Sequence, residues 1–112
     1  MDISVIEVLD RMDITHERIV LLVNEDCNLW PYILFNNETE SDAKRFSFIF
    51  PNEDVEKGDY ITVYSKKGVH TIQSITNGRK NHIFFWNSEH SIWSNNRKAL
   101  LVETKEYEFF NL

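Results

Sequence analysis

The sequence predicts an all-β domain of about eight or nine short strands, a sandwich or a barrel, on three observations. Side chains alternate with period two through Phe46-Ser47-Phe48-Ile49-Phe50 and through Tyr60-Ile61-Thr62-Val63-Tyr64, the pattern of strands with one buried face. Short β-branched and aromatic runs recur roughly every eight to twelve residues with turn residues between them, a spacing shared by sandwiches and barrels that does not separate the two. Aromatic residues make up 13% of the 112 and sit inside the apolar runs, so they are expected to build the core.

Taken in order, residues 3–9 favour a strand through Ile3, Val5, Ile6 and Val8. Ile3, Ile6, Leu9 and Met12 also recur at three-residue spacing behind Asp2, a helix cap type, so both forms stay open. Residues 10–17 read as a polar turn. Arg18 to Val23 is an apolar run of strand length, expected to be central and buried on both faces. Trp30 to Phe35 is the next strand, with Pro31 near its start where a missing amide is tolerated. Asn36 to Lys44 is the most polar loop, with 37–42 its most mobile part. Phe46–Phe50 and Tyr60–Tyr64 then form an organising hairpin, closed by Pro51 and turned at Gly58, with Val55 anchored beneath.

Asn77-Gly78 is a strong hairpin signal, because both central residues of a two-residue turn need positive φ. It predicts strands over 69–76 and 79–86, with Ile72 opposite Ile83 and His70 opposite Phe85 on one packed face. Ile92 and Trp93 are too apolar for a free loop and are expected to plug the core. Residues 98–103 and 107–110 close the chain as two further strands.

Length bounds the chain to a single domain, 1–112, large enough to need neither disulfide nor metal for its core. No run approaches the eighteen or so apolar residues of a membrane span, and the start lacks the basic residues of a secretory signal. A soluble, cytoplasmic protein without membrane contact is expected. The net charge of −6 is uneven: residues 1–65 carry 14 acidic and 5 basic side chains, whereas 66–98 carry six basic ones and only Glu89.

Several landmarks in order resemble the lamin tail domain, the immunoglobulin-like β-sandwich of nuclear lamins and of assorted bacterial proteins. They are Arg18 to Asn24, a strand followed by Asn; Asn28-Leu29-Trp30-Pro31-Tyr32-Ile33-Leu34; and Arg45 to Pro51 with Val55 and Lys57-Gly58-Asp59-Tyr60-Ile61-Thr62-Val63-Tyr64. The last is Phe85-Trp86 with Trp93 to Leu101. The similarity covers roughly residues 15–110 and implies an immunoglobulin-like β-sandwich of eight or nine strands acting as a non-catalytic interaction module. Tyr32 stands where a Trp after Gly is usual, and Asn96-Arg97 replaces the small or acidic residues common before the late strand. Heptads and a prenylation signal are both missing from the sequence, so filament assembly and lipid anchoring do not carry over.

The chemistry expected is sparse. His16, His70, His82 and His90 lack a tight pair or accompanying cysteines and are expected at the surface or at strand edges, so no metal and no cofactor are anticipated. Cys27 follows Glu25-Asp26, whose charge raises a thiol pKa, so it is expected to be inert. Carboxylates cluster at Glu25-Asp26, at Glu38, Glu40 and Asp42, and at Glu53-Asp54; no spacing selects a catalytic pair, and a hydrolase ranks last. Trp30, Trp86 and Trp93 are expected in the core.

The basic set Lys66, Lys67, Arg79, Lys80, Arg97 and Lys98 falls at three expected turns and forms the candidate binding site if the turns gather at one end. The leading expectation is therefore a module that binds a protein partner through loops or an edge strand, which a second copy of the chain could also use. The alternative is nucleic-acid binding through the basic turns.

Overall fold

The structure, a computed structural model, describes residues 1–37, 46–94 and 97–112. Ten strands follow in order: β1 (Ile3–Leu9), β2 (Arg18–Val23), β3 (Cys27–Asn28), β4 (Tyr32–Asn37), β5 (Phe46–Ile49), β6 (Asp54–Val55), β7 (Tyr60–Tyr64), β8 (Thr71–Ser74), β9 (Lys80–Phe85) and β10 (Lys98–Glu103). The fold is all-β: among the described residues there is no α-helix, and the one helical turn is a 3₁₀ turn at Thr76–Gly78. No helix among them is long and apolar enough to cross a membrane. The loop expected to be mobile lies, beyond Asn37, outside the described residues.

A five-stranded sheet runs β1-β2-β7-β9-β8, a three-stranded sheet β10-β4-β5, and β3 pairs with β6 alone. All pairs are antiparallel except β7 with β9. That parallel pair exists because β8 carries the chain back along the sheet before β9 returns between β8 and β7. Residues 3–9 are a strand, and their three-residue apolar spacing reflects a bulge between Val5 and Glu7 that leaves Ile6 unpaired and 48% exposed. An inserted residue of this kind breaks the period of two without making a helix.

β2 is interior to its sheet but buried on one face only: Ile19, Leu21 and Val23 are buried, while Arg18, Val20 and Leu22 are half-buried. β7 buries Ile61 and Val63 as its alternation predicts, and Thr62 besides. From the three-stranded sheet, Tyr32 and Leu34 point to the same interior, Val55 joins from β6, and Leu29, Phe50, Ile92 and Trp93 join from the connections. The buried faces of the two larger sheets thus meet in a single core. An aromatic chain runs across it, Phe48–Phe50 at 5.1 Å, Phe50–Phe84 at 5.6 Å, Phe48–Trp86 at 5.6 Å and Trp86–Trp93 at 6.1 Å. Such edge and tilted pairs contribute about 0.5–1.5 kcal/mol each beyond area burial.

Four further expectations are corrected. Residues 46–50 and 60–64 are not a hairpin, since β5 and β7 belong to different sheets and β6 bridges them by pairing with β3. Gly58 still makes the turn into β7, at φ +90°, and the strand at 46–50 still ends before Pro51. Trp30 is 52% exposed, because β4 starts at Tyr32 and leaves Trp30 in the turn before it. Residues 104–112 form no strand, and Tyr107, Phe109 and Phe110 are exposed.

The fourth correction concerns register. Asn77 (φ 61°) and Gly78 (φ 70°) do take the two positive-φ positions of the turn. However, the amide of Ile75 donates to the carbonyl of Arg79, so Thr76 is an extra residue in the loop. Thr71 therefore opposes Ile83, and Ile72 opposes His82. A slip of one residue exchanges the two faces of a strand, and it is His82 and Phe84 that are buried.

Candidate functional site

The six basic residues do not gather at one place. Tyr60 lies beside Asn81 and Tyr64 beside Phe85 in the parallel β7–β9 pair. Arg79 and Lys80 consequently enter at one end of the sheet, and Lys66 and Lys67 follow the other, with roughly 15–20 Å of strand between them. Arg79 donates to the carbonyl of Lys57, and the Lys80 amide donates to Asp59 Oδ1 at 3.1 Å. At the far end, Lys66 Nζ stands 5.0 Å from the centre of the Tyr64 ring and Lys67 Nζ is 3.1 Å from Glu89. Arg97 and Lys98 lead into β10, where the Arg97 carbonyl accepts from Arg11 and Lys98 is registered against Asn37. Among the described residues, these six side chains do not form a single basic face of the kind that polyanion binding requires.

Among the described residues, the open edges lie elsewhere. β5 and β10 border the three-stranded sheet, and β1 and β8 border the five-stranded one. On β4 the inner face carries Tyr32, Leu34 and Asn36, so Ile33 and Phe35 face outward. Registered with Ile33 are Ile49 of β5 and Val102 of β10, and registered with Phe35 is Leu100. Ser47 is also registered with Phe35, and Lys98 with Asn37, so the outer surface of this sheet is apolar across the Val102–Ile33–Ile49 row and beside it at Phe35 and Leu100, where an outer face is ordinarily polar. Ile49 is 66% exposed and Leu100 38%. Trp30 and Pro31, in the turn before β4, line a shallow depression of about 440 Å³ with Asn28 and Asn52.

A compact titratable cluster is built under the β8–β9 edge. His82 projects inward from β9, and its Nε2 lies 2.9 Å from Asp59 Oδ2. Asp59 is itself buried in the turn before β7, where it also accepts from the amides of Glu56 and Lys80. Burial pushes its carboxyl upward, but the bonds from His82, Glu56 and Lys80 outweigh this and hold it below the usual range. An ionised Asp59 can only accept, so Nε2 of His82 carries the hydrogen and Nδ1 is left to face the other way. There Nδ1 is 3.5 Å from Glu53 Oε1, without a hydrogen-bond partner among the described residues.

His70 completes the cluster. Its ring stacks on Phe84 with centroids 4.4 Å apart and planes 3° from parallel, and its Nε2 is 3.9 Å from Glu53 Oε2. One ligand-type atom from each of Glu53, His70 and His82 lies within 4.8 Å of the others. The expectation that all four histidines sit at the surface or at strand edges fails for His82, which is 2% exposed. The signal was the turn: with Thr76 counted as a loop residue, His70 falls opposite Phe84 and on the same face as His82. Pairing His70 with Phe85 instead sends the two histidines to opposite faces.

At the other end of the sheet, Glu17 is fully buried. Its Oε1 accepts from the Met12 amide at 2.9 Å, the Trp93 amide at 3.2 Å and the Ser91 hydroxyl; its Oε2 accepts from the Ile92 amide at 3.1 Å and the Ser65 hydroxyl. One carboxylate thus ties the 10–17 turn, the end of β7 and the Ile92-Trp93 plug. Cys27, half-buried in β3, has its thiol pushed up to about 11 by burial and then by Asp2, Asp26 and Glu103, which agrees with an inert thiol. Neither a protein-family model nor a curated protein matches the chain, so its chemistry is read from these side chains.

Proposed function

We propose that the chain is a lamin-tail-like, immunoglobulin-like β-sandwich that serves as a non-catalytic interaction module. Its protein partner meets the free edge of β5 and the apolar face beside it. The observation carrying this reading is the row Val102–Ile33–Ile49 with Leu100 alongside, an apolar outer face bordered by an open strand. An edge strand offers unpaired amides and carbonyls to an added strand, and the neighbouring side chains supply apolar area. Covering Ile49 and Leu100 contributes about 1–3 kcal/mol for each side chain. The sandwich reading is supported by the two larger sheets sharing one core.

The test compares the native chain with an Ile49→Asp, Leu100→Asp double variant, after circular dichroism shows equal folding. Each is used to capture proteins from lysate of the source cell with and without nuclease, and each is sedimented for self-association. The expected result is a protein, or a second copy of the chain, held by the native chain in both nuclease arms and lost from the double variant. Equal capture by both, with both monomeric, removes the proposal.

A further inference from the structure

We propose that Glu53, His70 and His82 form a binding site for a divalent transition ion of the zinc type, with Asp59 as the residue that positions His82. Neither the interaction reading nor the resemblance to lamin tails calls for this site. It rests on the orphaned nitrogen of a buried imidazole and on the two further ligand atoms converging on it.

His82 has its two ring nitrogens in different hands. Nε2 is committed to Asp59 at 2.9 Å, inside a side-chain environment only 3% exposed for both partners. This is the arrangement in which a metal-bound histidine passes its other ring hydrogen to a carboxylate, which fixes the tautomer and raises the basicity of the free nitrogen. That free nitrogen, Nδ1, is buried, lacks a hydrogen bond among the described residues and points at the Glu53 carboxylate 3.5 Å away. A cation seated between Nδ1 and the Glu53 carboxylate would bond to both and give the buried nitrogen the partner it lacks among the described residues. The third ligand stands close by, with the His70 ring stacked on Phe84 and its Nε2 3.9 Å from Glu53.

The spacing suits a small ion after a modest closure. Zinc–nitrogen and zinc–oxygen bonds of about 2.0–2.1 Å in a tetrahedron place ligand atoms about 3.3 Å apart. The present atoms, all within 4.8 Å, approach this by side-chain rotation of His70 and Glu53, which are 34% and 20% exposed, around a fixed His82. Two imidazoles and one carboxylate favour zinc and its transition-series neighbours over magnesium and calcium, which take oxygen ligands. Three protein ligands leave a fourth position for water or for a donor from a partner. Bound there, the ion would tie the β8 edge strand, whose four residues are all exposed, to β9 and to the approach to β6.

The experiment titrates zinc chloride alone into the native chain by calorimetry, with magnesium chloride as control, and follows the histidine ring nitrogens by long-range proton–nitrogen spectra. Glu53→Gln and His70→Ala are the test variants, because neither removes a fully buried group. His16→Ala controls for an exposed histidine that already pairs with Asp13 at 2.9 Å. The expected result is one equivalent of zinc, unaffected by His16→Ala and weakened at least about tenfold by either test variant, with the metal signature on His82 Nδ1. At a hundredfold excess over Kd, the thermal midpoint of the native chain should rise by about 10 °C and that of the variants by much less. Magnesium should do neither. Unchanged zinc affinity in Glu53→Gln and His70→Ala, a His82 Nδ1 that stays unmetallated at saturation, or no zinc binding at millimolar concentration each overturns the proposal.

Discussion

Replacing Glu17 by Gln should be the most damaging conservative change in this protein, and its cost can be worked from the geometry. The side chain keeps its shape, but one oxygen becomes an NH₂. If that group takes the place of Oε2, it meets the Ser65 hydroxyl, which can rotate to accept, and the Ile92 amide, which cannot. The opposite orientation sets it against the amides of both Met12 and Trp93. The milder choice sets one N–H of the new amide against the Ile92 N–H, leaving that buried pair unsatisfied at about 1–3 kcal/mol, and turns three charge-assisted bonds into neutral ones, at about 1 kcal/mol each. Relief from burying a charge offsets part of this. A net loss of about 3–4 kcal/mol follows, or a fall of about 15 °C in Tm for a domain of this size.

The pH dependence makes the argument specific. Burial alone would raise the Glu17 carboxyl, but the bonds from Ser65, Ser91, Met12 and Ile92 outweigh it and hold the group below its ordinary value. A folded-state value lower than the unfolded one contributes stability that is complete above the ordinary glutamate pKa of about 4.3 and drains away as pH falls through the native value. Glutamine mimics the protonated acid, so the gap between native chain and variant should be widest near neutrality and shrink in acid. Urea unfolding followed by tryptophan fluorescence reads this directly, since the Trp93 amide bonds to Glu17. A gap below about 1 kcal/mol at neutral pH, or one that stays constant into acid, would refute the reasoning.

Two further outcomes are expected. Gly58→Ala should cost about 1–2 kcal/mol, because the residue sits at φ +90° and a new Cβ would lie 2.7 Å from Arg79 Nε; adding Arg79→Ala relieves the contact but not the backbone cost, so urea midpoints of the pair should recover only in part. Cys27 should react with a disulfide reagent at pH 8 about a hundredfold more slowly than a free cysteine, given a thiol pushed up to about 11, and should speed up to the free rate in denaturant; a fast reaction in the folded chain would show that burial does not govern it.

What the sequence determined by itself is the set of strands whose signal is local. Ile61-Val63 in β7 is legible because a strand with one buried face must alternate, whereas Arg18 to Val23 is legible only as an apolar run of strand length, whose expected burial on both faces is burial on one. Asn77 and Gly78 were readable as a turn because only such residues take positive φ without strain. Ile92 and Trp93 were readable as a plug because apolar side chains of that size seldom stay in water. The proposed resemblance of residues 15–110 to the lamin tail pattern rests on landmark order alone.

Tertiary structure decided everything that depends on which segments meet. Nothing in 46–64 states that β5 and β7 part into different sheets, because alternation marks the buried face of a strand and not its neighbour. Nothing in residues 10–17 marks Glu17 as a buried hub, since its five donors come from segments up to 76 residues away. The candidate metal cluster shows the division most sharply. Its two histidines share a face only because one extra residue, Thr76, sits in the β8–β9 loop, and Glu53 reaches them from a connection 17 residues before His70 in the chain. Local composition sets which face of a strand is apolar, but register, a balance of hydrogen bonds across two segments, sets which side chains stand together.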